Sequence, residues 1–131
     1  MSDRLIRESI HRSEKINELS DFQFRLWVNL ITYVDDYGRG DARPKIIKGT
    51  CFPLRDRITD NAIEYALNQM ASKGCICLYE YDGRTYLCFP NWDRHQKIRN
   101  KISKFPAPED GTIIAGDNCR QLQTIARRCI Y

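Results

Sequence analysis

Asp35 and Asp36 stand side by side in "YVDDYGRGDAR", a carboxylate pair of the kind that shares acid/base work or holds a cation. General acid/base catalysis also needs a reacting group within reach, and a metal needs further ligands. Nothing nearby supplies a nucleophile or a third ligand, and a helix end followed by a polar turn accounts for both acids. Six cysteines (Cys51, Cys75, Cys77, Cys88, Cys119, Cys129) invite a zinc or disulfide reading. No C-x-x-C pair occurs, and His11 and His95 lie near no cysteine, so small buried thiols are expected, with no metal and no cofactor. No phosphate-cradling glycine loop occurs either, and the chain reads as a non-enzyme.

The charges carry more information. Net charge is only +4 over 131 residues, but it is unevenly spread. Residues 1–40 are net −1, residues 41–74 net +2, residues 75–104 net +3, and residues 105–131 neutral. The densest stretch is "RHQKIRNKISK", where Arg94, Lys97, Arg99, Lys101 and Lys104 meet no acid. A field of this kind suits a polyanion. The same run read as a plain solvated edge covering a sheet is the competing account.

These groups need elements to position them. Ser20 followed by Gln23 is a capping box, Leu19 and Phe24 sit at hydrophobic-staple positions, and Trp27, Leu30, Ile31 and Val34 recur at helical spacing. This predicts a helix over 21–35, preceded by an extended start and a helical turn or two. "DDYGRGDAR" is a break. Pro44 opens a short helix over 44–51 and Pro53 stops it. Thr59 or Asp60 caps a third helix over 60–73, with Ile63, Ala66, Leu67 and Met70 on one face. Its other face carries Asn61, Glu64, Tyr65, Asn68, Gln69 and Ser72, nearly all able to hydrogen-bond.

Asp82-Gly83 between β-rich runs predicts a hairpin in which paired residue numbers sum to 165. Ile76, Leu78, Leu87 and Phe89 then form an apolar face for the helices. The other face carries Cys75, Cys77, Tyr79, Tyr81, Tyr86 and Cys88, and needs a cover: the N-terminal segment, the tail or a second subunit. Cys77 and Cys88 become neighbours, although a reducing compartment argues against a structural disulfide.

Helix, short helix, helix and hairpin in that order give an α+β winged helix-turn-helix: a three-helix core plus a β-hairpin wing over residues 1–104. Residues 105–131 are a tail, with a short amphipathic helix over 119–130. In this fold the third helix enters the major groove and the wing lies against the backbone. Asn68 and Gln69 suit bidentate contacts to adenine, and Asn61 lies near the helix start. Tyr65 reads equally as a DNA contact or a packing residue, and His95 as a phosphate or base contact or a structural histidine. Arg84 at the wing tip, with Arg94, Lys97, Arg99, Lys101 and Lys104, would neutralise phosphates.

The motifs are also familiar. "LSDFQFRLWVNLITYVDDYGR", "PKIIKGTCFP", "ALNQMASKGCICLYEYDGRTYLCFPNWDRHQKI" and "KISKFPAP" resemble the N-terminal winged-helix domain of phage and prophage replication-initiation proteins, the replisome organisers grouped with DnaD-type primosome proteins. The resemblance runs from about Arg4 to Pro108. It implies a duplex-DNA-binding domain, without catalysis, that marks an origin or helps to recruit host or phage replication proteins. Such proteins commonly continue into a second domain that contacts a helicase or its loader, whereas only residues 109–131 follow here.

Two alternatives stand beside this reading: a winged-helix module for protein interaction or homo-oligomerisation, and a phage transcription regulator of the same fold. No apolar run spans a bilayer, and "MSDRLIRESI" lacks the apolar stretch of a signal peptide, so a cytoplasmic protein is expected.

Overall fold

The computed structural model describes residues 3–92, 96 and 102–116. After a 3-10 turn at Glu8–Arg12 come α1 (Glu14–Asn17), α2 (Asp21–Tyr33), β1 (Arg39–Asp41), α3 (Pro44–Cys51), α4 (Asp60–Ser72), β2 (Cys77–Tyr81), β3 (Arg84–Cys88), a second 3-10 turn at Pro108–Asp110, and β4 (Thr112–Ala115). The class is α+β. All strands are antiparallel, in the order β1-β3-β2-β4.

Local chemistry sets the helix ends. The Ser20 hydroxyl accepts from the Gln23 N–H at 3.2 Å while the Gln23 amide oxygen accepts from the Ser20 N–H at 3.0 Å, completing the capping box at α2. Such a cap stabilises a helix by about 0.5–2 kcal/mol. Thr59, rather than Asp60, caps α4 by accepting from the Ala62 N–H at 3.1 Å. The helices start where periodicity places them, with α2 ending two residues early and α4 one.

Trp27, Leu30, Ile63, Leu67, Leu78 and Phe89 are all buried, and they join α2, α3, α4 and one face of the sheet in a single core. Trp27 meets Phe89 edge-on at 6.2 Å and Phe89 meets Trp92 at 5.2 Å, a favoured kind of aromatic contact.

The hairpin has the expected register, from Cys77 opposite Cys88 to Tyr81 opposite Arg84, with Asp82 and Gly83 both at positive φ in the turn. Three features differ from expectation. "RGD" at 39–41 is not merely a break: it forms β1 against β3. Cys75 lies in the helix-side core instead of on the outer face, its thiol 3.7 Å from the Lys15 carbonyl. Residues beyond 104 also continue the fold: β4 pairs with β2, so a boundary at 104 cuts through the sheet's own supports. The expected helix over 119–130 lies outside the described residues. Among the described residues, no helix is long and apolar enough to cross a membrane.

The outer face of the hairpin is covered from within. Cys77, Tyr79 and Cys88 are buried there with Tyr86 against them. The Tyr79 hydroxyl donates to the Pro106 carbonyl at 2.7 Å, and Phe105 packs on Tyr86 at 6.0 Å. Of the three covers considered, the chain just after the cationic run takes the place. Cys77 belongs to a disulfide, which corrects the expectation of small buried thiols throughout.

Candidate nucleic-acid interface

The polar face of α4 is turned outward. Asn61, Glu64, Asn68 and Ser72 are exposed, Tyr65 is 62% exposed, and Gln69 is half-buried. Ile63, Ala66, Leu67, Met70 and Ala71 anchor the opposite side in the core. The helix therefore carries a row of exposed amides and hydroxyls on one face and apolar anchors on the other. Tyr65 is not a core residue.

Arg84 is exposed at the start of β3, beside the hairpin turn. The next residue, Thr85, accepts the Ala42 N–H at 3.0 Å, which brings the hairpin tip to the entrance of α3. Asp41 lies at this junction. Burial pushes its carboxyl upward, but hydrogen bonds from Arg43 and the charges of Arg43 and Arg84 outweigh burial and hold it below the usual value. Arg43 reaches the Asp41 carboxylate at 2.6–3.0 Å through Nε and Nη2.

Sequence reasoning passed over a second cationic surface. Lys45 and Lys48 on α3 and Arg55 in the following turn line one open groove with Asp56 and Asp60. Asp60 begins α4, so the groove borders the exposed polar helix face. The net charge of +2 over residues 41–74 carries the signal, but a weaker one than the denser run after the hairpin.

Of that later run, Arg94, His95, Lys97, Arg99 and Lys101 lie outside the described residues. Lys104 is exposed. Gln96 and Trp92, from the same "NWDRHQKI" motif, are buried parts of the fold. The Gln96 amide donates to the Leu5 carbonyl at 2.7 Å and accepts from the Leu5 N–H at 3.0 Å, tying down the N-terminal segment. The Trp92 indole donates to the Asp36 carbonyl at 2.8 Å, and the Arg4 guanidinium lies 5.4 Å over its ring.

The adjacent acids have structural partners. The Asp35 carboxylate accepts from the N–H groups of Tyr37 (2.9 Å) and Arg39 (3.0 Å) and from the Ser103 hydroxyl. Asp36 pairs with Arg4 at 3.1 Å, both side chains largely buried. Among the described residues, no group of three His, Cys, Asp or Glu side chains is placed to hold a metal.

No family model matches the chain, and neither a curated protein nor a solved structure matches it.

Proposed function

We propose that this chain is a winged-helix domain that binds duplex DNA without catalysing a reaction, acting in the initiation of phage or prophage replication. The order α2, β1, α3, α4, hairpin, with β1 paired to β3 and β3 to β2, supports the winged-helix reading. The observation that carries the DNA reading is the outward polar face of α4, anchored on its other side by five buried apolar residues. Asn and Gln on such a helix match the donor and acceptor pattern of adenine in the major groove. Cations lie along α3, bordering α4, and at exposed Arg84 by the entrance of α3, where phosphates would run. The replication role rests on the sequence resemblance alone.

A second reading has its own observation. Ile113 and Ile114 are about half exposed on β4, an edge strand with no charge in "TIIA". Edges of this composition favour pairing with another strand, which suits a protein-interaction module.

Fluorescence-anisotropy titration with random and phage-origin duplexes at two salt concentrations separates the two. DNA binding requires an affinity that falls steeply with salt. Concentration-dependent assembly without duplex affinity would leave the interaction module as the better account.

A further inference from the structure

The α3–α4 groove gathers three cations, Lys45, Lys48 and Arg55, along one surface. Arg43 is committed to Asp41 in a short, multiply bonded pair. No ion pair among the described residues engages Lys45, Lys48 or Arg55. Lys45 and Lys48 are three residues apart and so share one face of α3. Between them and the turn lies Gly49, where an added Cβ would find no heavy atom within 4 Å. The helix surface there is low and open.

Asp56 and Asp60 line the same groove, and against three cations they leave it a net charge of +1. That balance suits a chain of singly charged diesters better than a compact, multiply charged phosphate. The groove also opens beside Asp60, at the N-terminal end of α4. A polyanion seated in it therefore runs past the start of the exposed polar face.

We infer that Lys45, Lys48 and Arg55 hold the phosphodiester backbone of one DNA strand, with Arg84 across the entrance of α3 positioned for a further contact. This deepens the DNA-binding reading above and rests on it. The phosphate grip is then built on a helix and a turn whose positions are set by buried Ile47, Phe52 and Ile58. It does not depend on the cationic run after the hairpin.

The test is the salt dependence of duplex binding by wild type, Lys45→Ala/Lys48→Ala/Arg55→Ala, and Arg12→Ala. Arg12, which faces Glu8 at 3.9 Å on the N-terminal 3-10 turn, is the control. If each of the three cations neutralises one phosphate, the slope of log K against log salt falls by about 2.7 in the triple variant, at roughly 0.9 per phosphate. It is unchanged in the control, and preference among duplex sequences is retained. Should circular dichroism show the alanine variant unfolded, the Gln triple, which keeps the aliphatic stems, takes its place. An unchanged slope in a folded triple variant, with normal wild-type binding, overturns this inference and spares the DNA reading. Failure of wild type to bind any duplex overturns both.

Discussion

Gly38 lies so close beneath Trp92 that a Cβ at position 38 would stand 2.7 Å from Cγ and Cδ2 of the indole. It also has φ +77, a conformation that side chains rarely adopt. Both constraints come from the Asp-Asp-x-Gly-Arg turn, in which Asp35 caps the backbone and the Asp36 carbonyl receives the Trp92 indole. Gly38→Ala should therefore destabilise the fold by about 2–4 kcal/mol, combining backbone strain with forced displacement of a buried ring. Urea unfolding measures it. A loss below about 0.5 kcal/mol would mean that the turn and the indole move apart easily.

Gln96 makes a testable connection across the chain. Its two hydrogen bonds to Leu5 are the kind of pairing one strand offers another, supplied here by a side chain. Gln96→Ala removes both, at about 0.5–1.5 kcal/mol each, and leaves the Leu5 N–H and carbonyl to find other partners. Amide hydrogen exchange at Leu5 should accelerate at least tenfold while the α4 amides change far less. Equal acceleration throughout would show that the contact supports the whole fold and not the N-terminal segment.

Much of this architecture was legible because local rules agreed with the global ones. The capping box at Ser20, Pro44 at a helix start and Asp82-Gly83 between alternating runs each name an element and its boundary. What the sequence hid depends on distant partners. "RGD" has no strand signature, and becomes β1 because β3 offers it an edge. "TIIA" follows a Pro-rich stretch, and its pairing with β2 is specified by Tyr79 and Tyr86 gripping Phe105 and Pro106. In "NWDRHQKI", Trp92 and Gln96 stand among cations, yet both are buried in the fold. The polar face that helical spacing gives α4 is exposed in the fold. The cations of α3 were overlooked, since Lys45, Lys48 and Arg55 converge only once the turn folds back.

Stability should decline on the alkaline side. Burial, followed by nearby acidic groups, raises the hydroxyls of Tyr79 and Tyr33 well above the usual tyrosine range, and burial pushes Cys51 and Cys75 up to about 11. Each group holds its proton more tightly folded than unfolded. Their contributions are thus fully present below the unfolded values, near 8.5 for Cys and 10 for Tyr, and are lost as pH rises through the folded ones. The urea midpoint should fall between pH 8 and pH 10.5. In Tyr79→Phe the fall above pH 10 should be shallower, because one titrating group is gone. The same steepness in the variant would place the alkaline sensitivity elsewhere.

At the acid end, Asp41 carries the opposite sign. Its folded value is lowered, since the hydrogen bonds and charges of Arg43 and Arg84 overcome the effect of burial. The stability it contributes is present above the unfolded value, near 3.9, and is lost as pH falls through the folded one. Arg43→Ala should reduce the drop in the urea midpoint between pH 5 and pH 2.5. An unaltered drop would show that other carboxylates govern acid unfolding.

Asn68 and Gln69 are neighbours on α4, yet the structure does not treat them alike. Asn68 is exposed on the same outward face as Tyr65, whereas Gln69 is half-buried where the helix turns toward the core. A bidentate contact to an adenine edge requires both amide atoms to clear the helix surface, a condition Asn68 meets more fully. On the DNA-binding reading, Asn68→Ala should lower preference for the favoured duplex by about 1–3 kcal/mol and leave the salt slope nearly intact. Gln69→Ala should cost less preference and more folding stability. The two measurements are competition anisotropy against a scrambled duplex and urea unfolding of each variant. If both variants keep full preference, while removal of Lys45, Lys48 and Arg55 still flattens the salt dependence, then α4 faces DNA without reading it. The protein would then recognise the shape and charge of the duplex, not its sequence.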